Sequence, residues 1–370
     1  MLVRWTARSL LSEPGSLIGS VGGVALALLL VMLVEAMFAG EAQRIVEYLE
    51  RSRADVWVMQ RGVSNMHMAS SLVRKDVVEA VRATPGVRRA TPILYVNAFL
   101  RAGGRRWFSY VVGLRPDAAS GGPWAMVDGG ARARAGEVVV PDVVASKARL
   151  GLGDEVELLG RRLRVSGVSA GTYSMANSVT FVSYDDLADL LSAPEAASYV
   201  LVEADGTVSA EALAARIRER IRDVNVMTRA DFVESDRRMA MQMGVEIIEI
   251  MTWVGSLVAA LIVAFTAYTS VVRREREFGV AKALGTPNRA LELAALQQAA
   301  MLAAGGWIVA VALAHASEPF IEALLPEISL RYHAATVGKL GLATMAIAAA
   351  AGWLPARRVG RLDPAIVFRE

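Results

Sequence analysis

Four long apolar runs constrain this chain more than any other feature. Residues 17–34, 250–272 and 293–314 contain no charged side chain, and residues 334–354 contain only Lys339. A helix of about 20 apolar residues crosses about 30 Å of hydrocarbon, and backbone inside a bilayer must satisfy its own hydrogen bonds. We therefore predict four transmembrane helices, over residues 17–40, 250–272, 291–314 and 334–355.

The composition indicates a protein that lies partly in a bilayer and partly in water. Hydrophobic residues make up 54% of the chain and charged residues 21%, which fits neither an ordinary soluble domain nor a wholly buried membrane bundle. The net charge is only +3, and we expect no nucleic-acid partner. The chain has no cysteine, which excludes disulfides and thiolate metal sites. Because no His-Asp-Ser set or H-x-x-x-H spacing occurs, we predict no metal site and no enzymatic activity of its own.

Basic residues orient the predicted helices. Lysine and arginine concentrate in residues 1–16, 273–290 and 356–370, whereas the short loop 315–333 holds three glutamates against one arginine. Loops rich in lysine and arginine stay on the cytoplasmic side of a membrane. We therefore predict a multi-pass protein of the cytoplasmic membrane with both termini in the cytoplasm. Residues 41–249 and the loop 315–333 then lie outside the cell membrane.

Residues 41–249 have the pattern of a large α+β domain inserted between the first two predicted spans. Alternating or short apolar stretches bounded by turn residues predict strands at 54–60, 107–114, 136–141, 198–204 and 224–228. A hairpin is predicted over 153–171 with its turn at Gly160-Arg161. Helices are predicted from residue 142 through Lys147 and over 210–222, the second forming a βαβ-like unit with the strands beside it. Helices over 41–51 and 230–248 are expected to continue the first and second spans.

The segment 273–290 connects the second and third predicted spans. Phe278, Ala281, Leu284 and Gly285 are interpreted as one face of a short amphipathic helix. Gly285 is a C-terminal stop, and Thr286 with Pro287 is expected to cap and begin the next helix. One alternative is a solvated loop whose arginines only keep the segment on the cytoplasmic side of the membrane. The other is a helix that docks its apolar face into a groove on a partner.

Three stretches carry a resemblance to a known family. The segment 273–289 reads "RREREFGVAKALGTPNR" and closely resembles the coupling segment of FtsX/MacB-like permeases, the type VII ABC transporter superfamily. The stretch "GEVVVPDVVASKARLGLGDEVELLGRRLRVSGV" is similar to the extracytoplasmic domain of MacB-like permeases, and the closing "ARRVGRLDPAIVFRE" is similar to the family's cytoplasmic tail. The order of one span, a large outer domain and three further spans is also the family's own.

This resemblance implies a permease subunit that forms a homodimer and is driven by a separate cytoplasmic ATPase dimer holding ATP and Mg²⁺. The chain itself contains no G-x-x-x-x-G-K-[ST] motif, so it lacks that mode of ATP binding and no cofactor is expected on it. The coupling to the ATPase is expected at Arg274, Glu277, Phe278, Ala281, Leu284 and Gly285. Membrane lipids, and in some branches a membrane-fusion protein, are further partners that the resemblance implies.

Two functions are compatible with the resemblance. The first is an exporter, similar to haem-exporter, DevC-type or LolC-type permeases, that moves a hydrophobic or amphiphilic compound from the outer leaflet or external space by ATP-driven mechanotransmission. Haem or a lipid is the favoured substrate. The alternative is an FtsX-like mechanical signalling protein that activates a cell-wall hydrolase at the outer surface. A static scaffold would leave the coupling segment unexplained.

Substrate candidates are acids, histidine and methionines expected outside the membrane or near its outer surface. Haem iron accepts such ligands, and ionisable residues near a membrane interior are functional candidates. The alternative interpretation is an ordinary loop around residue 67 and acids that only mark helix ends. The candidates are Glu35, Met66, His67, Met68, Glu79, Glu246 and Glu249. Separately, Gly19 and Gly23 are predicted to let the first span pack closely against another helix.

Overall fold

The computed structural model describes residues 10–11, 14–66, 69–175, 177–273, 275–325 and 327–361, and within these it describes no side chains for 240–249, 251–252, 275, 354–355 or 358–361. The chain divides into two compact units. One, here called the helical unit, comprises Met1–Ala39, Glu246–Leu325 and Leu330–Glu370. The other, here called the α/β domain, comprises Gly40–Val245 and Pro326–Ser329.

The helices are α1 (Pro14–Arg51), α2 (Lys75–Arg82), α3 (Asp142–Ala148), α4 (Tyr184–Leu190), α5 (Ala210–Arg220), α6 (Arg229–Val272), α7 (Glu275–Ala283), α8 (Asn288–Leu324) and α9 (Ala334–Arg361). The strands are β1 (Val56–Gln60), β2 (Val87–Ala102), β3 (Arg105–Leu114), β4 (Met126–Gly129), β5 (Glu137–Pro141), β6 (Glu155–Leu158), β7 (Arg161–Ser169), β8 (Ser178–Ser183), β9 (Tyr199–Ala204) and β10 (Val224–Thr228).

Four helices of the described chain are long and apolar enough to cross a membrane, namely α1, α6, α8 and α9. This confirms the predicted number of spans. Helix α1 is uninterrupted over 38 residues and α6 over 44, so both predicted continuations beyond the apolar runs are present. A polar residue ends an apolar run but not a helix, because intrahelical hydrogen bonds do not depend on side-chain hydropathy.

The end of α8 shows the same effect and corrects the sequence prediction. A helix ending near residue 314 was expected, followed by a loop to 333. The structure continues α8 to Leu324, with Pro319 inside it. Alanine, glutamate and leucine are frequent in this last part and favour helix. The loop is therefore reduced to the residues between Leu324 and Ala334.

The strands of the α/β domain form one sheet with two parts. In the first part, the order is β10-β1-β9-β2, with all neighbours antiparallel. In the second, β2-β3-β8-β5-β7-β6 closes on β2 again. The sixteen-residue β2 belongs to both parts. Closure of the ring leaves its strands without free edges.

Most strands predicted from local pattern are present, and the βαβ-like unit is confirmed. β9 and β10 both pair antiparallel with β1, so they run parallel, and α5 connects them. The hairpin turn lies at Leu159-Gly160, one residue before the predicted position. Both residues have positive φ, 49° and 83°, as a two-residue hairpin turn of this hand requires. β2, β4 and β8 were not predicted; β8 is buried at every position and shows no alternation.

Three apolar cores stabilise the α/β domain. One is aromatic and centres on Trp57, Tyr199 and Phe232, whose ring centroids lie 5.2–6.0 Å apart. A second fills the closed ring. The third lies between β1 and β9 and the helices α2 and α5.

Candidate functional sites

Helix α7, in the predicted coupling segment, is packed against the rest of the helical unit through Phe278. That side chain is 2% exposed and contacts a cluster containing Val271, Leu291 and Ala356, with Ala281 half-buried beside it. Leu284, in contrast, is 83% exposed. The prediction that Phe278 and Leu284 share one face is therefore wrong. Six residues correspond to about 600° of helical rotation, which leaves the two side chains about 120° apart.

The free face of α7 is formed by other residues. Arg276, Val280 and Ala283 on α7 and Leu284 directly after it are exposed. The N–H of Leu284 still donates to the carbonyl of Val280 at 3.1 Å, so the spacing of four, seven and eight residues places all four on one side. Val280 and Leu284 are large exposed apolar side chains. Glu277 and Lys282 are half-buried, and both make contacts within the protein. Arg274 lies outside the described residues.

The predicted helix stop is confirmed at Gly285. Its φ is +91°, which favours glycine in the left-handed position after a helix. The backbone N–H of Gly285 donates to the carbonyl of Lys282 at 2.9 Å, and that of Thr286 donates to Ala281 at 3.2 Å. The next helix begins one residue later than predicted, because Pro287 rather than Thr286 occupies the N-cap position of α8.

A cavity of about 260 Å³ lies within the helical unit and includes the predicted candidate Glu35. Its wall comes from α1, α6, the residues before α9 and the first three turns of α9. Charged or titratable side chains on the wall are those of Glu35, Arg331, Tyr332, His333 and Lys339. The backbone N–H of Arg331 donates to the carbonyl of Ala36 at 2.9 Å, which holds this segment against α1.

Two other substrate candidates, Met66 and Glu79, are described and do not join such a pocket. Met66 is 2% exposed within the aromatic core. Its N–H donates to Asp236 Oδ1 at 2.6 Å, and its carbonyl accepts from Tyr95 Oη at 3.0 Å. The prediction of Met66 as a ligand is therefore wrong, since a packed core side chain cannot reach a substrate. Glu79 lies on α2 and forms an exposed ion pair with Arg82 at 3.0 Å.

The remaining candidates fall where the structure gives no side chain. His67 and Met68 lie outside the described residues, and so do the side chains of Glu246 and Glu249. Across the part of the chain that is described, no group of three or more His, Asp or Glu residues could hold a metal ion.

The predicted packing positions Gly19 and Gly23 do not contact another helix of the described chain. A Cβ placed on either would meet nothing within 4 Å. Close packing instead occurs at Gly306, where a Cβ would lie 2.4 Å from Val24, and at Gly341, where it would lie 2.8 Å from Trp307. Contact with a second copy stays a prediction for Gly19 and Gly23.

Sequence reasoning missed a clamp built by residues 327–329, which belong to the α/β domain although α8 and α9 flank them in the chain. Lys147 Nζ contacts Glu327 Oε1 at 2.5 Å, and Arg44 Nη1 donates to the carbonyl of Glu327 at 3.5 Å. Gly40, inside α1, faces the carbonyl of Ser329 so closely that a Cβ would lie 1.9 Å from it. The separation of 180 residues between Lys147 and Glu327 leaves no local pattern that could have revealed the clamp.

The clamp has an electrostatic consequence for Glu327. Burial disfavours the charged carboxylate, but hydrogen bonds from Lys147 and from its own backbone N–H outweigh this and hold the pKa of Glu327 below its usual value. A lowered pKa in the folded protein means that the carboxylate stabilises the fold above the unfolded-state pKa of about 4.3. This contribution disappears as the pH falls through the folded-state pKa.

Replacing Glu327 by glutamine tests the clamp. We expect E327Q to lower the melting temperature of the purified full chain at pH 7, and the difference from wild type to shrink as the pH falls below about 4. The matched control is E195Q, which breaks the exposed Lys75–Glu195 pair and should change the melting temperature little, because solvent and salt screen exposed ion pairs. Equal melting temperatures for E327Q and wild type at pH 7 would contradict the clamp.

Comparison with known proteins addresses the whole chain. Residues 17–220 match the MacB-like periplasmic core domain, and residues 249–364 match the FtsX-like permease C-terminal domain. An uncharacterised ABC transporter permease of Mycobacterium tuberculosis (strain H37Rv) is 28% identical over 375 residues, which cover 99% of this chain and 97% of the relative. Another from the same strain is 27% identical over 336 residues, with coverage of 90% and 88%.

Two solved structures are also similar. The periplasmic region of MacB from Actinobacillus actinomycetemcomitans is 13% identical, with a TM-score of 0.38, covering 52% of this chain and 97% of that one. The extracellular domain of the noncanonic ABC-type transporter YknZ from Gram-positive bacteria is 13% identical, with a TM-score of 0.36 and coverage of 47% and 99%. The two family matches extend over most of both units, and the chain therefore belongs to the FtsX/MacB-like ABC transporter permeases.

Proposed function

We propose that this chain is the permease subunit of an ABC exporter that moves a lipid-like amphiphile out of the cytoplasmic membrane or from the space outside it. In this proposal two copies of the chain pair with two ATPase subunits on the cytoplasmic side, and the α/β domain faces outward. ATP hydrolysis belongs to the ATPase subunits. The orientation rests on the concentration of arginine and lysine in the segments that flank the helices.

The observation that carries the proposal is the free face of α7. Val280 and Leu284 are exposed apolar side chains beside Arg276 on a helix whose opposite side is anchored by Phe278. An amphipathic helix of this kind fits a groove on a partner through its apolar residues. Because the chain has no phosphate-binding glycine-rich motif, a partner ATPase is the occupant that an ABC permease requires.

Transmission of motion is supported by how the chain connects its two units. α1 and α6 each run without interruption from one unit into the other. Residues 327–329, between α8 and α9 in the chain, are held within the α/β domain by contacts with Lys147 and Gly40. A packed helix transmits displacement as a rigid element, since protein interiors are nearly incompressible.

Lipid-like substrates are favoured over haem. Met66 lies in the packed core of the α/β domain and is not free to bind iron. The cavity at Glu35 combines charged and apolar walls, and its volume is about 260 Å³. Because this lies below the roughly 300–1,000 Å³ of pockets that enclose a whole drug-sized ligand, it suits a lipid headgroup better than a whole porphyrin.

The test is reconstitution of the full chain with candidate ABC ATPase subunits of the same genome in proteoliposomes. We expect ATP hydrolysis to be stimulated by at least one amphiphile. The double variant Val280→Asp with Leu284→Asp should lose both the stimulation and co-purification of the ATPase, because two buried contacts would become desolvated carboxylates, at a cost of about 3 kcal/mol or more.

The matched control places one carboxylate on an exposed apolar position of the α/β domain, Val127→Asp, and should leave binding and hydrolysis unchanged. Retention of the ATPase by the double variant would contradict docking at α7. Absence of stimulation by every amphiphile, with the complex intact, would contradict export.

A further inference from the structure

The cavity at Glu35 is formed neither by α7 nor by the clamp. We propose that it binds the headgroup of a membrane phospholipid that carries a phosphate and a hydrogen-bond donor, as phosphatidylethanolamine and phosphatidylglycerol do. This inference rests on the proposed function and names the substrate class for it. Every wall residue belongs to the helical unit.

The first argument concerns the charged side chains of the cavity wall, which form no ion pair within the described part of the protein. Glu35 on one side and Arg331 and Lys339 on the other have no ion-pair partner within 4 Å among the described residues. Arg331 and Lys339 are exposed and Glu35 is half-buried. Ionisable groups on a membrane-spanning helix, here Glu35 on α1 and Lys339 on α9, are costly unless they pair or face a polar cavity. A bound molecule with charges of both signs would satisfy all three side chains at once.

The positive side of the cavity suits a phosphate. Arg331 offers a fork of N–H donors and Lys339 a point charge, the two side chains that bind phosphates most often. His333 lies just before α9, and the backbone N–H groups of Thr336 and Val337 donate to its carbonyl at 2.9 and 3.0 Å. The first turn of α9 therefore adds the positive end of a long helix to the same wall.

Among the described residues of the cavity wall, Glu35 is the one acid, and it determines which second group the phosphate-bearing headgroup must carry. Glu35 is half-buried on α1, and an ionised carboxylate only accepts hydrogen bonds. An ammonium or hydroxyl group on the headgroup can donate to it. The quaternary ammonium of phosphatidylcholine has no N–H, so that lipid should bind less tightly.

Size and apolar lining place only the headgroup and the start of the acyl chains in the cavity. A volume of about 260 Å³ lies below the roughly 300–1,000 Å³ of pockets that enclose a whole drug-sized ligand. Val31, Met32, Leu340 and Ala343 supply an apolar wall. The chains of a bound lipid can continue from this wall into the bilayer.

The experiment uses the purified full chain in nanodiscs that contain a trace of phospholipid with a photoactivatable diazirine near the headgroup. Three probes share acyl chains and differ in headgroup: phosphatidylethanolamine, phosphatidylglycerol and phosphatidylcholine. Peptides that carry the cross-link are identified by mass spectrometry. We expect labelling of residues 31–36 and 336–343 by the first two probes, about tenfold above the third, which corresponds to one charge-assisted hydrogen bond of about 1.4 kcal/mol.

Variants separate a binding site from lipid that merely surrounds the protein. E35Q and the double variant R331Q with K339Q should each reduce labelling about tenfold by the same reasoning, whereas R331K and K339R should retain it. The control L342A changes an exposed side chain of α9 that is not part of the wall and should label as wild type. Melting temperatures establish that each variant is folded.

Equal labelling by all three headgroups and all variants would overturn the proposal, because it would show only surrounding lipid. Competition by soluble glycerophosphoethanolamine as strong as by the intact lipid would also overturn it, by showing a site for a free phosphate ester. The readout needs no ATPase. If labelling shows no headgroup preference while the ATPase still docks at Val280 and Leu284, the lipid site is refuted and the proposed permease function is not.

Discussion

Replacing Phe278 by alanine is expected to destabilise the helical unit by about 3 kcal/mol or more, the usual effect of removing a buried aromatic ring. The side chain is 2% exposed and packs between the end of α6, the start of α8 and Ala356 of α9. Its loss leaves a cavity where α7 is anchored. The measurement is thermal unfolding of the purified full chain, together with the amount of protein recovered from membranes.

Leu284→Ala is the matched control, because this side chain is exposed on the same segment. Exposed substitutions usually change stability by less than about 0.5 kcal/mol, so its melting temperature should equal that of wild type while ATPase binding weakens. Comparing the two variants thus separates the anchoring of α7 within the helical unit from its docking to the ATPase. A similar loss of stability in both variants would contradict the assignment of the two faces.

Replacing Gly40 by alanine is expected to destabilise the α/β domain by about 1–3 kcal/mol, as overpacking generally does. Inside a helix this substitution ordinarily stabilises by about 1 kcal/mol, so the expected sign is reversed. The reason is steric: the new Cβ would lie 1.9 Å from the carbonyl oxygen and 2.6 Å from the carbonyl carbon of Ser329. Both are backbone atoms, so the segment 327–329 must move away from α1.

Limited proteolysis of the full chain measures that movement, and G40A should be cleaved faster between α8 and α9 than wild type. Gly22→Ala is the matched control in the same helix, since its Cβ would meet nothing within 4 Å. Combining G40A with E327Q should add little, because both release the same segment. Unchanged proteolysis in G40A would show that the clamp is not closed by Gly40.

Local pattern was sufficient for the elements that depend on local energetics. The four long apolar runs form the helices α1, α6, α8 and α9, because backbone in a bilayer has no other partners for its hydrogen bonds. β1, β3 and β9 follow from alternation or short apolar runs between turns. β8 did not, because a strand buried on both faces has no period to detect.

The candidate sites were harder to predict than the fold. Gly285 could be placed from sequence because a helix stop is a property of one residue and its neighbours. Met66 could not be excluded from sequence, since only the tertiary packing with Asp236 and Tyr95 removes it from the surface. The cavity around Glu35 also requires Arg331 and Lys339, which lie 296 and 304 residues further along the chain.

The sequence by itself determined the spans, the inserted domain, the coupling segment and the permease family, because each of these depends on composition and order along the chain. Only the tertiary structure decided which face of α7 is free, which glycines permit close packing, and that Glu327 meets Lys147. These are contacts between distant segments. Their energies depend on which side chains meet across space, and hydropathy or helical period carries no information about that.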